Sequence, residues 1–449
     1  MTRVLIPTGA LGISFSHEAL MAGIANKPDI IAVDGGSTDS GPFYLGEGVS
    51  KYSGSSVKAE WRQLVRAREA AGVPLVVGTA GTCGSDSAVD WLFDITREIA
   101  AEEGLSLKVA LLYSGQSADS IAQALEDGRV QALPGAPVAD ADVIRACTNI
   151  VALAGAEQIQ AAIGTGADII IAGRPNDTAT IAALPLMRGD HIGAAWHGAK
   201  VGECGALATS QPSTGVVQID FDATGFTLPP LAGAARATPY SVSAHMLYEN
   251  SDPFTLYEPG GCLDVSRAVY TQLDDRSVRV EGADWQPGRY TVKLEGARLA
   301  GYQAGSMARL RERRYVRKAR EWADAIRTEC LSKVSSSLGI DAGSFDIEMR
   351  LIGVDAVLGD LETEESTVHE VGVMAITTAS SEAHAREIAK LLNPYLLHHA
   401  LTRDEPMPTF AFPFSPAEVM RGPLYEFCLH HVLELEDPMA VFRLETKEL

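Results

Sequence analysis

The sequence lacks the features that would equip it to bind nucleic acid or to depend on disulfides. Its 449 residues include 37 Lys and Arg against 58 Asp and Glu, which gives a net charge of −21. Because a phosphate backbone is bound by a basic face, this balance argues against a nucleic-acid partner. The six cysteines are widely spaced and form no CxxC pair, which disfavours a disulfide scaffold and a structural zinc site and indicates a reducing compartment.

Long apolar runs and nucleotide-binding motifs are also missing. No stretch approaches the roughly 20 apolar residues of a membrane-spanning helix. The first residues, MTRVLIPTGALG, lead directly into a strand-like run and do not resemble a signal peptide. We therefore expect a cytoplasmic protein with no membrane partner. Neither GxGxxG nor GxxxxGK[ST] occurs, so the sequence gives no indication of a dinucleotide or of ATP.

What the sequence does contain, in its first half, is a regular alternation of short β-branched runs and amphipathic helical patterns. Runs that are apolar on every side predict parallel strands buried on both faces of a sheet. The fold class is therefore α/β with a doubly wound, mostly parallel sheet, and an incomplete β/α barrel is the less favoured alternative. The runs are 4–7, 30–33, 74–79, 107–113, 149–155 and 168–173.

The second half has a different texture. Alternating patterns from about residue 216 predict a β-rich segment, and the arginine-rich stretch 309–320 predicts a helix with a basic stripe on one face. That stripe is a solvated face or, alternatively, a contact for a phosphate-rich ligand or a partner. From about residue 345 the pattern predicts an antiparallel sheet with helices on one face. The predicted domains are 1–215, 216–344 and 345–449.

Four predicted strands end in small polar loops, which read DGGSTDSG, AGTCGSDS, SGQSADS and RPNDTA. Ligands of open parallel sheets bind beyond the carboxyl ends of the strands, and helix N-termini there attract anions. Each loop taken alone is better explained by ordinary helix caps; the combination favours a site for a small anionic substrate. The candidate substrate-binding residues are Gly35, Gly36, Ser37, Thr38, Thr82, Ser85, Gln116, Ser117, Arg174 and Asn176.

The same loops contain the candidates for reactivity. Asp34, Asp39 and Asp177 could act as general acid or base, or simply cap turns and helices. Arg174 suits a carboxylate clamp or a salt bridge to a neighbouring Asp. Cys83, at a predicted helix N-terminus, is a candidate thiolate nucleophile or a small buried residue.

Cofactors are not indicated by the sequence. The set of histidines contains no HExxH motif, and the pairs 398–399 and 430–431 are predicted to lie at helix ends. The sequence therefore predicts no metal site. A divalent metal held by carboxylate oxygens such as those of Asp34 and Asp39 stays open as an alternative.

The order of several phrases along the chain resembles the acyclic terpene utilisation family. The most specific phrases are GRPNDTA and ECGAL, and EPGGCLD (258–264) is similar to a loop of the family. Residues 1 to about 360 resemble the family's main domain and the remainder its C-terminal ferredoxin-like domain. The resemblance implies catabolism of branched isoprenoid acids or other small carboxylic acids, often as coenzyme A thioesters. The opening IPTGALGIS departs from the family's GxGxGFxGD-like opening, which implies a different substrate from that of the terpenoid members.

We therefore expect an enzyme, a lyase or hydratase that removes a proton next to the carbonyl of a carboxylate or of its coenzyme A thioester. The alternatives are a non-catalytic subunit or scaffold of an acyl-CoA-processing complex, and a hydrolase that uses Cys83. The β-rich segment and the ferredoxin-like end suggest a homo-oligomer, with a small partner subunit as an addition.

Overall fold

The computed structural model describes residues 1–364 and 368–449. Two compact units divide the chain: the first comprises Met1–Arg298 and Phe427–Leu449, and the second Leu299–Glu426. Among the described residues, none of the helices combines the length and the apolar character that crossing a bilayer requires. The division at 215 and 344 stays a prediction.

The strands and helices are numbered here in chain order. The strands are β1 (Thr2–Ile6), β2 (Ile30–Asp34), β3 (Leu75–Gly78), β4 (Lys108–Tyr113), β5 (Val130–Ala132), β6 (Cys147–Ala152), β7 (Ile169–Ala172), β8 (Val217–Phe221), β9 (Gly225–Leu228), β10 (Thr255–Glu258), β11 (Gly261–Asp264), β12 (Val269–Gln272), β13 (Val278–Glu281), β14 (Asp284–Pro287), β15 (Thr291–Leu310), β16 (Phe345–Ile352), β17 (Val371–Ala379), β18 (Glu418–Glu434) and β19 (Arg443–Glu448). The α-helices are α1 (His17–Ala25), α2 (Phe43–Glu47), α3 (Gly54–Ala71), α4 (Asp86–Glu103), α5 (Ala118–Glu126), α6 (Ala141–Arg145), α7 (Ala156–Gly164), α8 (Asp177–Arg188), α9 (Ile192–Gly202), α10 (Pro239–Ala244), α11 (Arg313–Arg317), α12 (Ala319–Lys333) and α13 (Glu382–His398).

A ten-stranded sheet organises the first unit, in the order β12-β13-β9-β8-β1-β2-β3-β7-β4-β19. Its five central strands, β1, β2, β3, β7 and β4, are parallel. The strands on both flanks are antiparallel, including β19, which pairs with β4. The mixed α/β class with one large sheet and additional antiparallel sheets is therefore confirmed.

The central strands are covered by helices on both faces, as the run of apolar residues predicts. Side chains alternate between two cores: Val4 and Ile6 belong to the core with α8 and α9, whereas Leu5 lies against Gly23 of α1 in the core that also contains α3 and α4. Full burial on both sides explains why the middle of each strand is apolar, whereas polar residues such as Arg3, Asp34 and Lys108 lie at or near strand ends. This arrangement leaves only the ends of the strands, and the loops that follow them, to contact a ligand.

One of the six predicted strands does not belong to the parallel sheet. Residues 147–152 form β6, but this strand pairs antiparallel with residues 294–298 of β15. The prediction of a parallel strand here was wrong because an apolar run shows burial without showing which strand is its partner. β6 therefore brings the early part of β15 next to the parallel domain.

The arginine-rich stretch was also assigned incorrectly. Arg309 lies in β15, which pairs antiparallel with β17 up to Leu310. A short helix, α11, follows, and α12 begins only at Ala319 after a break at Lys318. The predicted single basic stripe over 309–320 is therefore not formed, because burial of alternate residues in the ladder outweighs the helical spacing of the arginines.

The second unit has the expected antiparallel sheet, in which β17 pairs with the second half of β15 on one side and with β16 on the other. Helices α12 and α13 pack against one face of this sheet, with Trp322 and Leu392 fully buried between them. A ferredoxin-like topology for this part stays a prediction.

Candidate functional site

Two adjoining cavities lie at the carboxyl edge of the parallel strands in the first unit. Their volumes are about 440 and 470 Å³, and both are lined by Ser37, Asp39, Asp177 and Glu249. The loops that follow β2 and β7 thus form a common wall, as ligand sites of open parallel sheets require. We call the smaller the first cavity and the larger the second cavity.

Arg174 organises the wall of the first cavity. It follows β7 closely, is only 6% exposed, and contacts two carboxylates. Its Nε donates to Glu295 at 3.2 Å, and its Nη1 donates to Asp177 at 2.8 Å. Nη1 also donates to the Thr79 hydroxyl at 3.1 Å. Burial would lower the pKa of Arg174, but the two carboxylates outweigh it and raise the pKa. The guanidinium is therefore charged and fixed in one orientation.

Glu295 is the partner that connects this arginine to the β15 strand. Its carboxylate accepts hydrogen bonds from Thr38 at 2.8 Å and from Lys293 at 3.2 Å, in addition to Arg174. Burial opposes ionisation, yet Arg174 and Lys293 lower the pKa of Glu295 to about 2. Glu295 is thus ionised at neutral pH, and its oxygens already accept hydrogen bonds from Thr38, Arg174 and Lys293.

Glu258 has a different environment. It is 6% exposed and lines the first cavity, where its two oxygens accept hydrogen bonds from Asn176 and, at 2.7 Å, from Thr178. These donors are neutral and lie at the N-terminus of α8. Burial raises the pKa of Glu258 to about 7, against the opposing effect of the two hydrogen bonds. A carboxyl group with this pKa can both give and take a proton near neutral pH.

The pKa of Glu258 predicts a pH dependence of stability. The folded protein holds this proton up to about pH 7, whereas an ordinary glutamate loses it near 4.5. Between these values the folded state binds more protons, so wild-type stability falls as pH rises, by roughly 3 kcal/mol. Urea unfolding at about pH 5 and about pH 8 should show a loss that is larger in wild type than in Glu258→Gln by about 3 kcal/mol. Burial also raises the pKa of Glu203 and of Asp34, and these two groups contribute to the loss in both proteins. A wild-type minus variant difference that is the same at both pH values would contradict the assignment, and the surface substitution Glu102→Gln serves as control.

Asp34 lies at the end of β2 and lines the second cavity. Its Oδ1 accepts a hydrogen bond from the backbone of Gly36 at 3.0 Å. Burial, followed by the negative charge of Asp177, raises the pKa of Asp34 well above its ordinary value, and Arg174 only partly compensates. Asp34 is therefore a second acidic group whose proton is held more tightly than usual.

The backbone around these residues is unusually constrained. Thr79 and Thr82 adopt positive φ angles of 51° and 71°, which β-branched residues rarely do. Gly84, at φ +65°, passes so close to Arg174 that an added Cβ would lie 2.7 Å from its Cα. Such strain is typical of sites where the surrounding structure fixes a functional geometry. Here the constrained turn after β3 lies directly against Arg174.

Nine of the residues singled out from the sequence line the two cavities. They come from the loops after β2, β3 and β7, which meet at adjacent strand ends. The residues are Asp34, Gly36, Ser37, Thr38, Asp39, Thr82, Arg174, Asn176 and Asp177. The sequence thus predicted most of one wall.

The remaining five candidates line neither cavity. Gly35 is packed against β3, and Ser85 caps α4 by accepting from the Ala88 amide. Cys83 is fully buried, with its Sγ 3.6 Å from the Val49 carbonyl oxygen. Gln116 donates to the carbonyls of Ser114 and Val441, and Ser117 is an exposed cap of α5. All five residues thus serve in backbone packing, helix capping or hydrogen bonding away from the cavities.

Several polar residues of the site were missed from the sequence. They lie outside the loops of the parallel sheet: on and just after α9, on β10, on β15, and in the segment between α10 and β10. They are Lys200, Glu203, Glu249, Glu258, Lys293 and Glu295. Two signals were usable. Lys200 and Glu203 form an ion pair three residues apart in an otherwise apolar segment, and the phrases ECGAL and EPGGCLD begin at Glu203 and Glu258.

His430 was placed incorrectly by the sequence. It does not lie at a helix end but in the strand β18, and it lines the first cavity. The same strand contributes Phe427 and Leu429, which with Leu153 and Leu256 give the cavity an apolar side. The first cavity therefore has one wall of acidic and basic side chains and another of apolar side chains, which suits a hydrocarbon chain.

Comparison with known proteins identifies the family. No curated protein and no solved structure matches the chain. The model of a family described as "Acyclic terpene utilisation family protein AtuA" matches residues 55–402, more than half of the 449 residues. The match includes the loops of β3 and β7, α9 and Glu258, and thus much of the site. The chain therefore belongs to the acyclic terpene utilisation family.

Proposed function

We propose that the protein is an enzyme of small organic-acid or isoprenoid-acid catabolism, a lyase or hydratase acting on a carboxylic acid or its coenzyme A thioester. The observation that carries this proposal is Glu258: a buried carboxyl group in the cavity wall, held by neutral donors and with a pKa of about 7. Such a group suits removal of a proton next to a carbonyl and its return to the product. Asp34, Asp39 and Asp177 are the further acid or base candidates.

The shape and polarity of the first cavity support this substrate class. A volume of about 440 Å³ accommodates a small branched acyl group rather than a complete coenzyme. The apolar side formed by Leu153, Leu256 and Leu429 suits the hydrocarbon portion. The family description, acyclic terpene utilisation, agrees with a branched hydrocarbon substrate.

The charges around the cavity favour the thioester over the free acid. Six carboxyl groups line it, against three cations that already pair with Asp177, Glu203 or Glu295. Burial raises the pKa of Glu203 to about 8 and that of Glu258 to about 7, so the excess of negative charge comes from the other four. A free carboxylate would have to enter this acidic environment, whereas a thioester presents an uncharged carbonyl. Lys293, the most exposed of the three cations, is the best placed to meet an incoming anion.

Single-turnover assays with a panel of acyl-CoAs and free branched acids, run in deuterated buffer, test the proposal. We expect wild type to incorporate deuterium next to the carbonyl of at least one acyl-CoA, and Asp34→Asn to slow this step. Equal rates in Asp34→Asn would remove Asp34 from the mechanism. Absence of exchange and of turnover with the whole panel would contradict the lyase or hydratase proposal.

The proposal also includes a cytoplasmic homo-oligomer. The exposed edge strand β12, at the end of the ten-stranded sheet, supports assembly because unpaired edges commonly meet a partner. Light scattering of the purified chain distinguishes a homo-oligomer from a monomer.

A further inference from the structure

Three potential metal ligands converge where the two cavities adjoin. Glu203, Cys204 and His245 each offer one ligand atom, and these atoms lie within 4.8 Å of one another. Glu203 lines the first cavity and Cys204 the second. A bound ion would therefore be reached from the space in which the substrate is proposed to lie.

His245 provides an independent indication of a missing partner. It lies just after α10, is 5% exposed, and its Nε2 is buried without a hydrogen-bond partner among the described residues. An unsatisfied buried polar atom is destabilising, so folded proteins rarely retain one unless a water or an ion satisfies it. The neighbouring thiol and carboxylate make an ion the better match.

The charge around the cluster also favours a cation. The second cavity is lined by four carboxylates, Asp34, Asp39, Asp177 and Glu249, but among the described residues by one cation, Lys51. Lys200 donates to Oε1 of Glu203, which leaves Oε2 of that carboxylate for a second positive charge. A divalent cation would offset the excess of negative charge without displacing the lysine.

The backbone holds the ligands close together. Glu203 and Cys204 follow α9 directly, and the loop after β1 passes so near that a Cβ at Gly9 would lie 2.7 Å from the Cα of Cys204. Tetrahedral bonding at 2.0–2.3 Å places ligand atoms roughly 3.5 Å apart, so the side chains need to move by about an ångström to close on an ion.

We propose that Glu203, Cys204 and His245 form a binding site for a zinc-type divalent metal ion with one open coordination position. One sulfur, one nitrogen and one oxygen ligand suit zinc or cobalt, whereas magnesium and calcium prefer oxygen alone. A site with three protein ligands leaves a position for water or for a substrate oxygen. This inference does not rest on the proposed reaction, because metal binding is measured without substrate.

Titration of the chelator-treated, full-length protein with Co²⁺ tests the site. We expect one equivalent to bind and to produce a sulfur-to-cobalt charge-transfer band in the near ultraviolet. Cys204→Ser should abolish the band, and His245→Ala should weaken binding at least about tenfold. Thermal unfolding of the metal-free variants checks that they are folded; if one is not, the other alone decides the test.

The matched control is Cys147→Ser. Cys147 Sγ lies 2.8 Å from Cys428 Sγ, which makes this thiol pair the competing soft site in the chain. The control should keep the band. A band that persists in Cys204→Ser, a band that disappears in Cys147→Ser, or wild type without a band would overturn the proposal, whatever the outcome of the turnover assays.

Discussion

Replacing Arg174 with methionine is expected to lower the free energy of unfolding by about 3–5 kcal/mol. The guanidinium is the shared partner of Glu295 and Asp177, and both it and Glu295 are only about 6% exposed. Without it, Glu295 keeps only Lys293 as a cationic partner within the wall. The loss therefore comes from an uncompensated buried charge, and urea unfolding at neutral pH measures it.

The matched control is Arg145→Met. Arg145 pairs with three carboxylates, at 3.3–3.5 Å, where Arg174 pairs with two, but its side chain is 43% exposed. Solvent screens such pairs, so we expect a loss below about 1 kcal/mol. Adding Glu295→Gln to Arg174→Met should recover part of the loss, since it removes the unpaired charge. Similar losses for the two arginine variants would show that burial is not the cause.

The second large effect is expected on turnover. Glu258→Gln should reduce the rate of the proposed reaction by about 10²- to 10⁴-fold, the usual contribution of a general acid or base. The amide can still contact Asn176 and Thr178, so the cavity wall keeps its form. Substrate binding should change little, which places the loss in kcat rather than in KM. The assay is single turnover with the acyl-CoA that wild type accepts.

The pH profile separates a chemical role of Glu258 from a structural one. Wild-type rates should inflect near pH 7, the pKa of the Glu258 carboxyl group, and the residual rate of Glu258→Gln should lack this inflection. Glu102→Gln removes a carboxylate that is 48% exposed and should leave both rate and profile unchanged. An unaltered kcat in Glu258→Gln would eliminate Glu258 as the proton-transfer group.

The parallel centre of the fold and one wall of the site follow from the sequence because both depend on local patterns. Apolar runs predicted β1, β2, β3, β4 and β7. The polar residues at or just after the ends of these strands include Asp34, Arg174 and Asp177, which line the cavities. The order of the strands does not follow from such patterns. β7 lies between β3 and β4, and β19 covers the outer side of β4, so Gln116 and Ser117 lie away from the cavities.

The opposite wall was not predictable because it depends on contacts between distant segments. Arg174 and Glu295 are 121 residues apart, and Thr178 and Glu258 are 80 apart. Nothing in the local sequence of β15 distinguishes Glu295 from the outward-facing charges of an ordinary strand. Only the antiparallel pairing of β6 with β15 brings this residue into the buried wall. A search for polar residues at the ends of predicted strands therefore identifies only one wall of such a site.

The position of Phe427, Leu429 and His430 has a consequence for the order in which the protein matures. These residues complete the first cavity, yet they follow the entire second unit, Leu299–Glu426, in the chain. Since synthesis proceeds from the N-terminus, the parallel sheet leaves the ribosome well before this side of the cavity exists. The nascent chain therefore has no complete cavity until nearly all of its residues have been made. Premature termination before Phe427 yields a product that keeps Leu153 and Leu256 but lacks the part of the apolar side that Phe427 and Leu429 contribute.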